Sequence, residues 1–347
     1  MRNIFIRADS TAQIGAGHLM RCLALAQAWQ DEGGEANFIS HCESDQIKQR
    51  ILDEGFDFVP IEKPYPNPKD LSVTLKLLSA ISYQLSTANL WFVIDGYHFD
   101  AAYQKQIKDE GYRLLWIGDY GQADHYYADL VLNQNISADE SLYIHREPYT
   151  RLLLGTRYVL LRREFKKWRG WRREIPVVAR KVLVTLGGGD PDNVTLKVIK
   201  ALKQVNISDL EARIIVGPAN PNLQTLLQEI GDHSNLEIIT NAANMPELMA
   251  WADIAVSAGG STCWELALMG LPSMIIYFAE NQQPIAERLD EIGASLSLRW
   301  NDALTFENIA EAMADLLLSQ ENRRKSSKKL QDLIDGSGAQ RVCEKLM

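Results

Sequence analysis

The sequence predicts an α/β protein built as two Rossmann-like domains, and three observations carry that prediction. Each half opens on a strand, a glycine loop and a helix. In the first half these are RNIFIR, ADSTAQIGAGH and a helix from Leu19; in the second they are KVLVTL, GGGD and a helix after Asn193. Short continuous apolar runs, such as LWFVID at 90–95, alternate with helical patterns, as parallel strands covered on both faces should. Finally, 347 residues exceed what a single hydrophobic core normally organises.

Residues 2–7 form the opening strand, and Gly15 and Gly17 let the next loop turn tightly and come close to a ligand. The helix from Leu19 sets Leu19, Leu23, Ala26 and Gln30 on one stripe. Strands follow at 35–41 and 56–61, with a helix over 45–54 between them. PIEKPYPNP, with its four prolines, is a loop, and 71–85 is a helix with Leu71, Leu75, Leu78 and Leu85 on one face. Three strands then end in polar residues: 90–95 in Asp95-Gly96-Tyr97-His98, 114–117 in Gly118-Asp119-Tyr120-Gly121, and 130–132 in Asn133-Gln134-Asn135. Open α/β sheets place ligand groups just there, although each is also an ordinary strand terminus.

The run RREFKKWRGWRREIPVVAR at 162–180 breaks the alternation and reads as an interdomain connection with a solvated basic face and anchoring tryptophans. The second half continues with strands at 181–186, 210–216, 236–239, 254–256 and 272–276. Helices are expected at 193–203, with Asn193 as N-cap, at 223–230, 246–251 and 263–269, and from 280–283 onward. Helices near 305–318 and 320–334 close the chain. The expected division is a first domain over 1–165, a linker over 166–180, a second domain over 181–325, and a helical segment over 326–347 that could cross back to the first.

A net charge of −9 argues against general nucleic-acid binding but leaves room for a local anion site. Cys22, Cys42, Cys263 and Cys343 form no C-x-x-C pair and fit no zinc spacing. The first residues enter a strand with no signal-like apolar region, and no stretch of about 18 apolar residues occurs. The expectation is a cytoplasmic protein with reduced thiols that binds neither nucleic acid nor membrane.

Two constellations carry chemistry. His18 sits at a helix N-terminus, where backbone N–H groups favour an anion and disfavour an imidazolium. A neutral imidazole beside an anion site is a candidate general base, with Asp9 as a nearby carboxylate. In the second half SAGGST at 257–262 leaves a strand and opens a helix. Gly259 and Gly260 admit a phosphate, Ser261 and Thr262 add hydroxyls, and Glu265 lies one turn on, able to accept from a ribose diol. No lysine follows the glycines, so this is not a P-loop. Asp190-Pro191-Asp192 matches a metal-binding D-x-D, but a proline turn before an N-capping Asn193 accounts for it without metal.

RADSTAQIGAGHLMRCLALA, DGYHFD, LLGTRYVLLRREF, VTLGGGDPDN and SAGGSTCWELALMGLP together resemble the PseG-type UDP-sugar hydrolases of bacterial pseudaminic acid biosynthesis, over nearly the whole chain. The second half also resembles MurG-type glycosyltransferases of the GT-B fold. The resemblance implies two Rossmann-like domains facing across a cleft, with UDP in the C-terminal one. It implies a catalytic role for His18, a place near the sugar for Tyr97, the ribose for Glu265 and the phosphates for Ser261 and its loop. Gln282 and Gln283 match a glutamine pair close to the ligand in MurG-type enzymes. The implied substrate-binding set is Asp9, Gly15, Gly17, Arg21, Tyr97, Gly188, Asp190, Met245, Ser257, Gly259, Gly260, Ser261, Thr262, Glu265, Asn281 and Gln282, with no metal ligand and no cofactor. Where some members carry Asn before the glutamate, this chain has Trp264. The implied reaction is metal-independent hydrolysis of a UDP-linked 2,4-diacetamido-2,4,6-trideoxyhexose to UDP and free sugar, by inverting attack of water with His18 as base. The protein is expected as a monomer or weak oligomer. A MurG-like transferase and a non-catalytic sugar-nucleotide sensor are the alternatives.

Overall fold

A continuously buried first strand, β1 (Asn3–Ala8), organises the N-terminal sheet, with all six of its residues buried. The computed structural model describes residues 2–11, 13–82, 90–190, 192–217, 220–240, 242–301 and 303–347. It divides into two units, Met1–Arg163 with Ser337–Met347, and Glu164–Gly336.

The first unit runs β1, α1 (Gly17–Asp31), β2 (Glu35–Ser40), α2 (Asp45–Asp53), β3 (Asp57–Pro60), α3 (Asp70–Ser82), β4 (Trp91–Asp95), α4 (Ala101–Asp109), β5 (Arg113–Ile117), β6 (Leu130–Asn133) and β7 (Arg151–Leu154). All strand pairs are parallel, in the order β3-β2-β1-β4-β5-β6-β7. The order reverses between β1 and β4, where Ala8 lies opposite Asp95, so the ends of these two strands form the switch point at which such sheets bind ligands.

The second unit runs β8 (Lys181–Thr185), α5 (Val194–Gln204), β9 (Glu211–Val216), α6 (Leu223–Ile230), β10 (Leu236–Thr240), α7 (Met245–Trp251), β11 (Ile254–Ser257), α8 (Thr262–Leu268), β12 (Ser273–Tyr277), α9 (Gln283–Glu291), β13 (Leu296–Arg299), α10 (Phe306–Leu318) and α11 (Gln320–Leu333). Its parallel sheet, β10-β9-β8-β11-β12-β13, reverses between β8 and β11, beside the two glycine loops. The fold class is therefore two parallel-sheet α/β units in one chain.

The last helix, α12 (Gly338–Leu346), packs on α1 in the first unit. Its Val342, Cys343 and Leu346 join the core made by Leu19, Leu23, Leu25 and Trp91. The Trp91 indole donates to the Leu346 carbonyl at 2.7 Å. This second neighbour explains why α1 is buried nearly all round rather than along one stripe. The 320–334 helix, by contrast, stays in the second unit as α11.

The basic run at 164–180 packs within the second unit, and its Arg173 caps two helices. Arg173 donates to the carbonyls of Ala252, Met249 and Met269 at the ends of α7 and α8, where the helix dipole favours positive charge. Burial pushes its guanidinium down to about 10. Arg323 similarly gathers the carbonyls of Leu316, Leu317, Pro176 and Val177.

Three elements are absent from the sequence reading: β7 and β13 are four-residue edge strands, and α4 buries only Tyr103, Gln104 and Ile107. The helical segment expected over 326–347 divides between the end of α11 and α12. Helix α3 ends at Ser82 among the described residues, and the expected Leu85 lies outside them. Asn193 precedes α5 in a left-handed conformation, φ 53°, and its side chain does not cap the helix. Asp190 does so instead, its carboxylate accepting from the Val194 and Thr195 N–H groups at 2.8 and 2.9 Å. The N-capping assignment to Asn193 is thus corrected: a left-handed backbone aims its side chain away from the helix N–H groups.

Candidate active site

Gly15, at φ 72°, turns the loop leaving β1 so that α1 can begin at Gly17. Gly17 itself is not demanded by φ or by neighbours, since a Cβ there would meet nothing within 4 Å. His18 and Arg21 lie three residues apart on α1 and so share a face. That face meets Asp95, the last residue of β4, which the β1–β4 register brings opposite Ala8.

His18 Nδ1 lies 2.6 Å from Asp95 Oδ1. Arg21 grips the same carboxylate with two bonds, Nε to Oδ2 at 2.5 Å and Nη2 to Oδ1 at 2.6 Å. Its third nitrogen reaches Asp119 Oδ1 at 2.6 Å. Burial alone would raise the Asp95 carboxyl, but Arg21 and the imidazole outweigh it and hold Asp95 well below the usual carboxylate range. Asp119 is held low by the same guanidinium, against the same opposing burial. An ionised carboxylate only accepts, so the proton of the His18–Asp95 bond sits on Nδ1. The 3.3 Å approach of Arg21 Nη2 to that nitrogen is then a contact between two donors, not a hydrogen bond.

Asp119 continues the network. Tyr97 donates its hydroxyl to Asp119 Oδ2 at 2.8 Å, and Asn135 donates to Oδ1 at 2.9 Å. The Tyr97 ring stands edge-on to the imidazole, with centroids 4.9 Å apart. Tyr120 tilts against Tyr97 at 5.4 Å. The Cys22 thiol, 3.5 Å from Asp95, is pushed up by burial and by that carboxylate.

Asp9 belongs to a different cluster. Arg7, buried on β1, binds both Asp9 and Asp70, and Tyr103 donates to Asp70 at 2.9 Å. The His41 N–H donates to Asp9 Oδ1 at 2.7 Å. The carboxylate bonded to His18 is accordingly Asp95 and not Asp9. Asp9, Asp70 and His98 bring ligand-type atoms within 4.8 Å of one another, but Arg7 already occupies both carboxylates.

In the second unit the glycine loops are tightly packed. A Cβ on Gly259 would lie 2.8 Å from the Gln282 carbonyl, and one on Gly217 would lie 2.4 Å from that of Gly188. The loop after β11 thus rests on the loop before α9, and the loop after β9 on the loop after β8. Gln282 accepts from the Phe278 N–H at 3.2 Å, while Gln283 donates to Glu287 at 2.7 Å. Ser257 and Gly259 are buried, whereas Gly260, Ser261, Thr262, Glu265 and Asn281 are half-buried. Met245 is buried at the start of α7. Trp264 is 1% exposed and lies in the interior, its indole N–H finding no partner among the described residues. Asp190 gives both carboxylate oxygens to the first turn of α5, and the Thr195 hydroxyl adds a bond at 2.5 Å.

Of the expected site residues, the structure brings His18, Arg21 and Tyr97 into one network and sets Asp9 in another. Sequence reasoning named Asp95, Asp119 and Asn135 only as residues at strand ends and missed that Asp95 bonds His18 while Arg21 ties in Asp119, which Asn135 supports. The signal was present: each sits at or just past the end of a neighbouring parallel strand, β4, β5 or β6.

Comparison with known proteins gives a coarse likeness first. Residues 182–342 match the model of the glycosyltransferase family 28 C-terminal domain. A crystal structure of MurG from Acinetobacter baumannii aligns over 99% of both chains with a TM-score of 0.65 at 15% identity, a likeness of fold. More particularly, the chain resembles a UDP-2,4-diacetamido-2,4,6-trideoxy-β-L-altropyranose hydrolase of Campylobacter jejuni, 25% identical over 86% of this chain and 99% of that protein. It is also 29% identical to the spore coat polysaccharide biosynthesis protein SpsG of Bacillus subtilis, over 62% of this chain and 63% of that one. An uncharacterised Methanocaldococcus jannaschii protein is 26% identical over 81% of this chain, which spans 56% of that longer relative.

Proposed function

We propose that this chain is a nucleotide-sugar hydrolase that splits a UDP-linked 2,4-diacetamido-2,4,6-trideoxyhexose into UDP and free sugar, as the name of its Campylobacter jejuni relative describes for that protein. The observation that carries the reading is the His18–Asp95 bond. With its proton on Nδ1 and directed at Asp95, the neutral imidazole offers the Nε2 lone pair to a water. The water oxygen bonds to the anomeric carbon, its proton passes to Nε2, and the bond from that carbon to the diphosphate oxygen breaks. UDP leaves with the bonding pair, and the anomeric configuration inverts. Glu265 takes the ribose diol, and the backbone N–H groups around Gly259, Gly260 and Ser261 take the diphosphate, where they would stabilise the charge of the leaving group.

The family 28 match supports a transferase as the second reading, in which an acceptor hydroxyl stands where water is placed here. One experiment separates them. Purified protein is incubated with the UDP-sugar in ¹⁸O-labelled water, without acceptor and with excess EDTA. The hydrolase reading expects stoichiometric UDP release, ¹⁸O on the anomeric carbon and initial inversion seen by NMR. No release without an acceptor favours the transferase, and a loss restored by magnesium or manganese contradicts the metal-independent mechanism. Glu265→Ala should weaken UDP binding by about 1.5–3 kcal/mol in calorimetry, the worth of a charge-assisted bond; unchanged affinity removes Glu265 from the nucleotide site.

A further inference from the structure

His18 is bonded to Asp95, but the buried group it belongs to is larger. Arg21 joins two carboxylates, Asp95 and Asp119, and both are kept ionised. Two negative charges therefore face one guanidinium in a site where the side chains of Asp95, Arg21 and His18 are 0%, 6% and 8% exposed. With a neutral imidazole the group carries an excess negative charge; with an imidazolium it is balanced. Water screens such buried charges less than exposed ones, so the group is sensitive to the loss of either carboxylate.

We propose that Asp119 is a positioning residue of the His18 site, holding Arg21 across Asp95 and supplying the excess negative charge that an imidazolium cancels. It does not touch the imidazole through a hydrogen bond; it acts through Arg21, and through Tyr97, whose hydroxyl it accepts. Without Asp119, Arg21 would neutralise Asp95 fully, and protonating His18 would leave a buried group with net positive charge. The inference rests on His18 being the base.

The other polar groups facing His18 leave this balance intact. Cys22, from α1, is held as a thiol by burial and Asp95. His98, after β4, is pushed down to about 4 by burial and Arg7, and so is neutral near pH 7. Tyr97 is fixed on Asp119 and Tyr120 leans on Tyr97. Beyond His98, the charges of Asp9 and Asp70 are engaged by Arg7.

The test is NMR titration of ¹³C-labelled histidine in the ligand-free protein, with the His18 signal among the six histidines assigned by its loss in His18→Asn. It is paired with single-turnover hydrolysis across pH. In Asp119→Asn the His18 titration should move to lower pH by about one unit, the usual influence of a nearby charge. kcat above the titration should fall by about two- to fivefold, because a weaker base takes the water proton less readily, with KM little changed. Asp119→Glu should restore most of both. Asp119→Ser, smaller and also neutral, replaces Asp119→Asn if the latter does not fold. A folded neutral variant with the parent's ring titration and the parent's kcat profile overturns the proposal. If the parent shows no hydrolysis while the titration moves as expected, the proposed reaction fails and the charge balance stands.

Discussion

The first unit contains two buried clusters of nearly the same composition. Arg21 holds Asp95 and Asp119 beside His18; Arg7 holds Asp9 and Asp70 near His98. In both, one guanidinium joins two carboxylates and a tyrosine hydroxyl completes the second carboxylate, Tyr97 on Asp119 and Tyr103 on Asp70. What differs is the histidine. His18 donates to a carboxylate at 2.6 Å, so its charged form has a partner waiting. His98 is stacked on Tyr65 with centroids 4.4 Å apart, its Nε2 has no partner among the described residues, and burial with Arg7 drives it to its neutral form. Acidic neighbours alone do not make an imidazole a base; a direct bond to one of them, turned the right way, does. We read the Arg7 cluster as the brace that pins β1 to α3, and the Arg21 cluster as the chemical one.

Substitutions in the two clusters should therefore fail in different ways. The largest effect is expected for Asp95→Asn, which frees Nδ1 to take the wrong tautomer and should cut single-turnover hydrolysis by roughly 10²–10⁴-fold while UDP binding persists. A loss below tenfold in folded protein would show that the bond to His18 is merely structural. Arg7→Met should instead cost stability, about 3–5 kcal/mol in urea unfolding, because two buried carboxylates lose their cation. The sign of its pH dependence follows from Asp70, which Arg7 holds below its ordinary value despite burial. That stabilisation is complete above the ordinary carboxylate range, near pH 4, and is lost as pH falls through the lower folded value. The parent should thus resist mild acid better than Arg7→Met; equal acid midpoints would deny Arg7 its bracing role. The smallest effect is expected for His98→Asn, less than about threefold in turnover, since no proton leaves or enters that ring near neutrality. A deep loss there would erase the distinction between the clusters.

Much of this fold was legible in the sequence because parallel sheets write themselves as apolar runs and glycine loops. LWFVID and KVLVTL are central strands, β4 and β8, as their continuous apolarity demands. Edge strands such as RLLL and LSLR carry half that signal, and the contact of α12 with α1 has no local signature beyond the helical pattern of the chain's last residues. The site was half legible. His18 and Tyr97 stand out by motif, but Asp95 and Asp119 are 24 residues apart in sequence and meet only because β4 and β5 are neighbours and Arg21 reaches both. Asp9, two residues from Arg7, offers no sign in the sequence that its carboxylate turns toward that guanidinium and away from His18.

The central claim is that His18 takes a proton from water during hydrolysis and plays little part in holding the nucleotide. The most direct measurement combines single-turnover hydrolysis of the UDP-sugar with calorimetry of UDP binding on the same preparation of His18→Asn, its fold checked by circular dichroism. The account predicts hydrolysis lowered by roughly 10²–10⁴-fold, the worth of a positioned general base, with UDP affinity unchanged within about twofold. In the parent protein the rate should fall as pH drops and the imidazole is protonated. Near-normal hydrolysis by folded His18→Asn would contradict the account.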